Sequence, residues 1–296
     1  MTEHILEISA SPVHLRLHLE NLVVEHQGAQ LARVPLAEIG AVVVSHTQAT
    51  ITHAAMDGLA GANVALVICN EKHLPSAMLL PLAGNVVQTE RFARQASLAL
   101  SVKKQVWKQV VRAKILAQAR ALLALHGSDG GLRNIAQTVR AGDSGNAESR
   151  AAVRYWGMWL PSQAFGRDPE GSGPNAHLNY GYAVLRAYVA RAIVGAGLHP
   201  SLGIHHHNRY NPFCLADDLM EPYRPIVDQV VAQLVTVGED TTDLVPAHKK
   251  ILLERLAGKF GYEGESRSLS DWMGRVAHSM VKIVMGEGKS LFIPEL

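Results

Sequence analysis

Apolar and polar residues alternate through His14-Leu15-Arg16-Leu17-His18-Leu19, the period of a strand with one face buried. Leu22-Val23-Val24-Glu25 follows the turn formers Glu20-Asn21, and Gln27-Gly28 makes a further turn. Ala41-Val42-Val43-Val44 and Val64-Ala65-Leu66-Val67-Ile68-Cys69 are short, unbroken apolar runs that suit strands covered on both faces. Between them, Thr52 to Leu59 reads as a short helix capped by Thr52. The scattered histidines His14, His18, His26, His46 and His53 have no metal-ligand spacing.

Around Leu82 to Val87 the pattern changes, and Ala, Leu, Gln, Lys and Arg replace the β-branched residues. From Thr89 to about Leu125 the apolar positions Leu98, Val102, Val106, Val110, Leu116, Leu122 and Leu123 predict one or two long helices. Helical periodicity returns over Leu132–Val139, from Asn146 to Trp156 with Ser144 or Asn146 as cap, and over Leu178–Val194. It continues over Ile226–Val235, Leu244–Leu256 and Leu269–Val284, with an irregular end. The expected fold is α+β: a β-rich N-terminal domain at 1–83, a linker at 84–90, and a larger all-α domain at 91–296.

Composition narrows the classes. A chain of 296 residues with 48% hydrophobic content can bury a sizeable core, and its net charge is only +2. Cys69 and Cys214 form no CxxC pair, which argues against a disulfide framework or zinc ribbon and fits a reducing cytoplasm. Neither a signal-peptide pattern nor a bilayer-spanning tract is evident, so a cytoplasmic protein without a membrane partner is expected. Within this near-neutral chain, Arg91, Arg94, Lys103, Lys104, Lys108, Arg112, Lys114 and Arg120 lie in a tract with no acid from Arg91 to Ser128. One sign of charge on a helical surface suggests a polyanion; the plainer alternative is a solvated face whose acids come from neighbouring helices.

Candidate chemistry concentrates between Gly195 and Asp228, where three histidines precede Asp217, Asp218 and Glu221. Asp218 and Glu221 are three residues apart, so on a helix both carboxylates reach one cation, and a loop histidine could complete the set. Two carboxylates and one imidazole suit Mg²⁺ or Mn²⁺ better than structural zinc. The same acids could instead cap a helix that begins at Glu221, with Pro222 in its first turn.

Four ordered motifs go further. Asn146-Ala147-Glu148-Ser149 with Ala151, Ala152 and Tyr155; Asn175-Ala176 to Leu178-Asn179-Tyr180-Gly181-Tyr182; Gly197-Leu198, Pro200, Gly203 and His206; and Leu215 to Pro225 resemble the CRISPR-associated protein one family, most closely its type II members. The resemblance covers the whole chain, including the layout of its two parts. His199 departs from the pattern, standing where an aspartate is frequent in relatives.

That resemblance implies a spacer-acquisition integrase and endonuclease. It assigns Glu148, His206 and Glu221 as catalytic metal ligands for Mg²⁺ or Mn²⁺, and Asp218 as a further ligand or a group behind them. His205 and His207 are then bystanders or DNA contacts. The implied reaction joins the 3′-hydroxyl of a double-stranded DNA fragment to a phosphate at the edge of a CRISPR repeat. Expected DNA contacts are Arg91, Arg94, Lys103, Lys104, Lys108, Arg112 and Arg209. The implied assembly is a homodimer joined through the N-terminal domains, with a small ferredoxin-like CRISPR-associated partner subunit and, further out, an effector nuclease and other adaptation factors. The competing readings are a non-catalytic DNA-binding scaffold and a metal-dependent hydrolase of another phosphoester.

Overall fold

The computed structural model describes residues 4–71, 75–160 and 165–296. The alternating run forms β2 (His14–His18), which turns into β3 (Asn21–His26) and then β4 (Ala29–Pro35). Leu19 and Glu20 at φ 47° and 57°, and Gln27 and Gly28 at φ 50° and 80°, make the left-handed two-residue turns that match strand twist. Asn21 is therefore the first residue of β3 and not part of the turn. β6 (Thr50–Ile51) pairs parallel to β2 and completes this sheet in the order β4-β3-β2-β6.

The second sheet runs β1 (His4–Ile8), β5 (Ile39–Val44), β7 (Ala65–Cys69) and β8 (Pro75–Leu79), with only the β7–β8 pair antiparallel. Its unbroken apolar runs reflect cover on both faces. Val42, Val44 and Leu66 pack with Leu15 and Leu22 of the first sheet, whereas Ala41, Val43, Ala65 and Val67 join the core of the helical part. Helix α1 (His53–Gly61) precedes β7, and the Thr52 hydroxyl accepts the Ala55 N–H at 3.2 Å.

Segment 80–87 leads into α2 (Gln88–Ala96) and the 27-residue α3 (Leu100–His126), which stops where Gly127 adopts φ 71°. Val106, Trp107, Val110, Val111, Ile115 and Leu122 are buried along α3, while Leu123, expected on that face, is exposed. Then come α4 (Leu132–Gln137), α5 (Ala147–Trp159), α6 (Pro174–Gly195), α7 (Cys214–Met220), α8 (Arg224–Thr236), α9 (Pro246–Ala257) and α10 (Leu269–Val284). The largely buried α6 touches α7, α8, α9 and α10 and reaches β5 and β7. Arg191 on α6 ties the two parts together, donating to the carbonyls of Asn63 and of Gly40 (3.2 Å) and to Ser270 Oγ (2.8 Å).

The C-terminal part is mostly helical, and the expectation of an all-α domain needs correction. β9 (Lys259–Tyr262) and β10 (Glu265–Ser268) form an antiparallel hairpin between α9 and α10. Within it only Phe260 and Ser268 are buried, so its sequence carries almost no apolar period. Among the described residues no helix is long and apolar enough to cross a membrane.

Candidate active site

Asp218, fully buried on α7, organises the histidine loop. Its carboxylate accepts the backbone N–H groups of Ile204 (2.6 Å), His205 (2.9 Å) and His206 (3.2 Å), and lies 2.6 Å from His206 Nδ1. The loop can fold this tightly only because residue 203 is glycine: a Cβ there would come 2.1 Å from the His206 carbonyl. Trp107 on α3 stacks on His205 at 4.2 Å and 3° and meets His206 edge-on at 5.7 Å. The hydrogen bond to Asp218 raises the His206 pKa; burial opposes it, and the nearby charge of Glu221 adds to it. Upstream, the buried Gln95 on α2 bonds the His199 and Leu202 carbonyls, and the His199 ring accepts from Ser201 N.

Glu148 and Glu221 meet at α3. Lys114 Nζ lies 2.7 Å from Glu148 Oε1 and 2.5 Å from Glu221 Oε2. Arg224 Nε donates to Glu221 Oε1 at 2.8 Å. Burial works to raise the Glu221 pKa, but the Arg224 and Lys114 cations outweigh it and hold the group at about 2. Burial lowers the Lys114 pKa and the two glutamates overcome it, leaving it above the ordinary value. Glu148 sits in the first turn of α5, where Asn146 stands at the N-cap position as expected but makes no side-chain cap bond, and Asp143 takes that role. The Asp143 carboxylate accepts the N–H groups of Ala147 (2.9 Å) and Glu148 (3.0 Å).

A 3₁₀ turn does begin at Glu221 with Pro222 inside it, as the helix-cap alternative expected, but the acids of this stretch are not helix caps. Neither α7 nor the single 3₁₀ turn Glu221–Tyr223 that follows it has a side-chain cap. Asp217 pairs with Arg186 Nε at 2.6 Å and accepts from Asn211 at 2.6 Å, Asp218 holds the loop, and Glu221 faces Lys114 and Arg224. Asp218 and Glu221 thus serve different partners. Sequence reasoning missed Arg224 as a partner of Glu221 and counted Lys114 among the basic residues of a surface. The signal for Lys114 was its spacing: Lys104, Trp107, Lys114 and Gln118 fall on one helical face that also carries a tryptophan.

The other basic candidates divide. Arg94, Lys104, Arg112 and Arg209 are exposed, and Arg209 lies over the Tyr210 ring at 4.6 Å; Lys103 and Lys108 are half-buried. Lys103 and Lys104 line a groove with Trp107, His205 and His207. Arg91 faces inward and donates to the Ala196 carbonyl at 2.7 Å, anchoring α2 to the end of α6.

Beside the glutamates lies a cavity of about 190 Å³ lined by Lys114, Gln118, Trp156, Arg167, Glu221 and Asp228, among others. Asp228 accepts from the Tyr155 and Tyr182 hydroxyls, and burial pushes its pKa up to about 6. The donor set suits a hard divalent cation. Glu221 Oε2 is buried, and the group against it is the Lys114 ammonium at 2.5 Å. His206 directs Nδ1 to Asp218, so that Nε2 is the nitrogen that could ligate a metal. Among the described residues no three His, Cys, Asp or Glu side chains are gathered into a metal-sized cluster, and the place between the glutamates is taken by an ammonium.

Comparison with known proteins agrees with the four motifs. The family model of the CRISPR associated protein Cas1 matches residues 6–259. The chain is 34% identical over 286 residues, 95% of its length and 93% of the relative's, to the CRISPR-associated endonuclease Cas1 of Neisseria meningitidis. Its fold is that of a casposase bound to integration product, at a TM-score of 0.78 and 18% identity over 97% of this chain and 92% of that one. It also matches a chain of a Cas6-RT-Cas1–Cas2 complex at a TM-score of 0.75 and 18% identity, covering 98% of this chain and 36% of the other. Matched along most of its length by the family model and by a named endonuclease, the chain belongs to the Cas1 family of CRISPR-associated endonucleases.

Proposed function

We propose that the protein is a metal-dependent DNA integrase and nuclease of CRISPR adaptation, joining the 3′-hydroxyl ends of a double-stranded fragment to the phosphates of a CRISPR repeat. The observation that carries this reading is the meeting of Glu148, from the first turn of α5, and Glu221, from the 3₁₀ turn after α7, at one positive charge. Two acids far apart in sequence, held at one ammonium, are a pair that a divalent cation could share as well. Glu148, Glu221 and His206 Nε2 would hold Mg²⁺ or Mn²⁺, with Asp218 behind the imidazole as the group that orients it. Bound there, such an ion supplies Lewis acidity to a phosphate oxygen and lowers the pKa of an attacking hydroxyl.

The chain's own groups do the remainder. Asp218 and Trp107 fix the His206 ring, so that little reorganisation is needed when substrate arrives. Arg224 keeps one Glu221 oxygen occupied and leaves the other for the shared cation. Lys103, Lys104, Lys108, Arg112, Arg94 and Arg209 are the side chains for DNA backbone, in an interaction that salt weakens. Arg91 is withdrawn from that set because its guanidinium is committed to the Ala196 carbonyl. Replacement of the fragment's hydroxyl by water gives nuclease activity, and reversal of joining gives disintegration.

The assembly we propose is a homodimer joined through the N-terminal sheets, working with a small ferredoxin-like partner subunit; the Cas6-RT-Cas1–Cas2 complex among the similar structures supports association with a Cas2 subunit. The test is joining of a labelled duplex to a supercoiled plasmid bearing repeats, with and without the small partner, in Mg²⁺ and in Mn²⁺. Glu148→Ala, His206→Ala and Glu221→Ala should each abolish joining while DNA retention persists. Unchanged joining by Glu221→Ala contradicts the assignment.

A further inference from the structure

Lys114 is a mostly buried cation whose charged partners, among the described residues, are the two glutamates assigned above to the metal, Glu148 at 2.7 Å and Glu221 at 2.5 Å. We propose that Lys114 is an exchangeable counter-ion: its ammonium holds Glu148 and Glu221 together in the metal-free protein and gives up that place when a divalent cation binds. The inference rests on the metal-dependent reading and adds to it a residue that neither the motifs nor the family match assigns.

Charge counting supports it. Glu148, Glu221, Lys114 and Arg224 form a neutral quartet, because Arg224 occupies the other oxygen of Glu221. A divalent ion added to an intact quartet leaves two positive charges in excess where the Glu221 and Lys114 side chains are only 7% and 14% exposed. Uncompensated charge is costly in such a place. Withdrawal of the ammonium cuts the excess to one charge, which one DNA phosphate cancels.

Geometry selects Lys114 over Arg224 as the group that moves. Arg224 is pinned, its guanidinium lying over the Tyr182 ring at 4.6 Å while Nε holds Glu221 at 2.8 Å. Lys114 has a flexible four-carbon stem and borders the cavity of about 190 Å³, where Gln118 and Asp228 can receive the displaced ammonium although Arg167 and Arg224 also line it. The exchange makes metal affinity rise in the presence of a DNA phosphate and keeps two like charges paired in its absence.

The test is titration of metal-stripped full-length protein with Mn²⁺, following free Mn²⁺ by electron paramagnetic resonance, alongside thermal unfolding in chelator and in Mn²⁺. With its competitor removed, Lys114→Met should bind Mn²⁺ roughly tenfold more tightly than the unsubstituted protein. It should also melt lower in chelator and gain more from Mn²⁺. Equal or weaker Mn²⁺ binding by Lys114→Met overturns the exchange while leaving the metal site standing. Absence of binding by both proteins overturns the metal reading and the exchange with it. If Lys114→Met is unfolded in chelator, recovery of the folded signal on adding Mn²⁺ supports the exchange, and failure to recover overturns it.

Discussion

The N-terminal sheets and the helical part bury their interiors by different means. Among the described residues before β8, Ser45 is the one buried polar side chain, and the cluster between the sheets is aliphatic throughout. The helical part buries Asp143, Asp217, Asp218, Glu221, Asp228 and Lys249, together with a histidine pair in which His177 Nε2 lies 2.9 Å from His248 Nδ1. Aliphatic burial is non-directional and tolerates change; buried charge persists only with partners in place. The proposed chemistry is placed where the fold has accepted the second kind of interior.

The difference can be tested most sharply at Asp218. Its replacement by Ala strands three backbone N–H groups and the His206 ring, so Asp218→Ala should lose about 3–5 kcal/mol of stability and nearly all joining activity. Urea unfolding and the plasmid assay measure the two losses. Leu15→Ala, a fully buried position between the sheets, should cost about 2–5 kcal/mol yet leave activity per folded molecule unchanged. Equal activity losses in the two variants would erase the distinction.

Titration separates the interiors as well. The folded pKa of Asp228 lies at about 6, above the ordinary 3.8, so the fold favours the protonated carboxyl. The stability it contributes is fully present below the ordinary value and is lost as pH rises through about 6. Asp228→Asn should therefore flatten the unfolding free energy between about pH 4 and pH 7, removing roughly 3 kcal/mol of pH dependence. The smallest effect belongs to the surface: Lys103→Ala should reduce the slope of log affinity for DNA against log salt by about one, with joining chemistry intact.

Much of the fold was legible because periodicity reports burial of an apolar face. β2 and α10 lie almost where alternation and helical spacing put them. The β9–β10 hairpin was invisible because it buries little, and α5 kept its cap hidden because Asp143 acts from a turn with Gly142 at φ 65° and its own φ at 50°. In the candidate site, motif order singled out the acids and His206 as candidates, whereas the partners that each one faces could not be read from it. Spacing on a helix shows which side chains share a face but not what stands opposite: Asp218 faces loop amides, while Glu221 faces a lysine more than a hundred residues earlier. Lys114 was misread for the same reason. An acid-free helix advertises cations to sequence inspection, and only the packing of α5 and the 3₁₀ turn against α3 shows which cation is turned inward.

The account stands most directly on the count of divalent ions bound by metal-stripped protein in the presence of a DNA duplex, compared with Glu148→Ala, His206→Ala and Glu221→Ala. One ion per chain, weakened or lost in each of the three variants while their circular dichroism stays unchanged, is the predicted result. Full binding retained in any two of them would contradict a shared site.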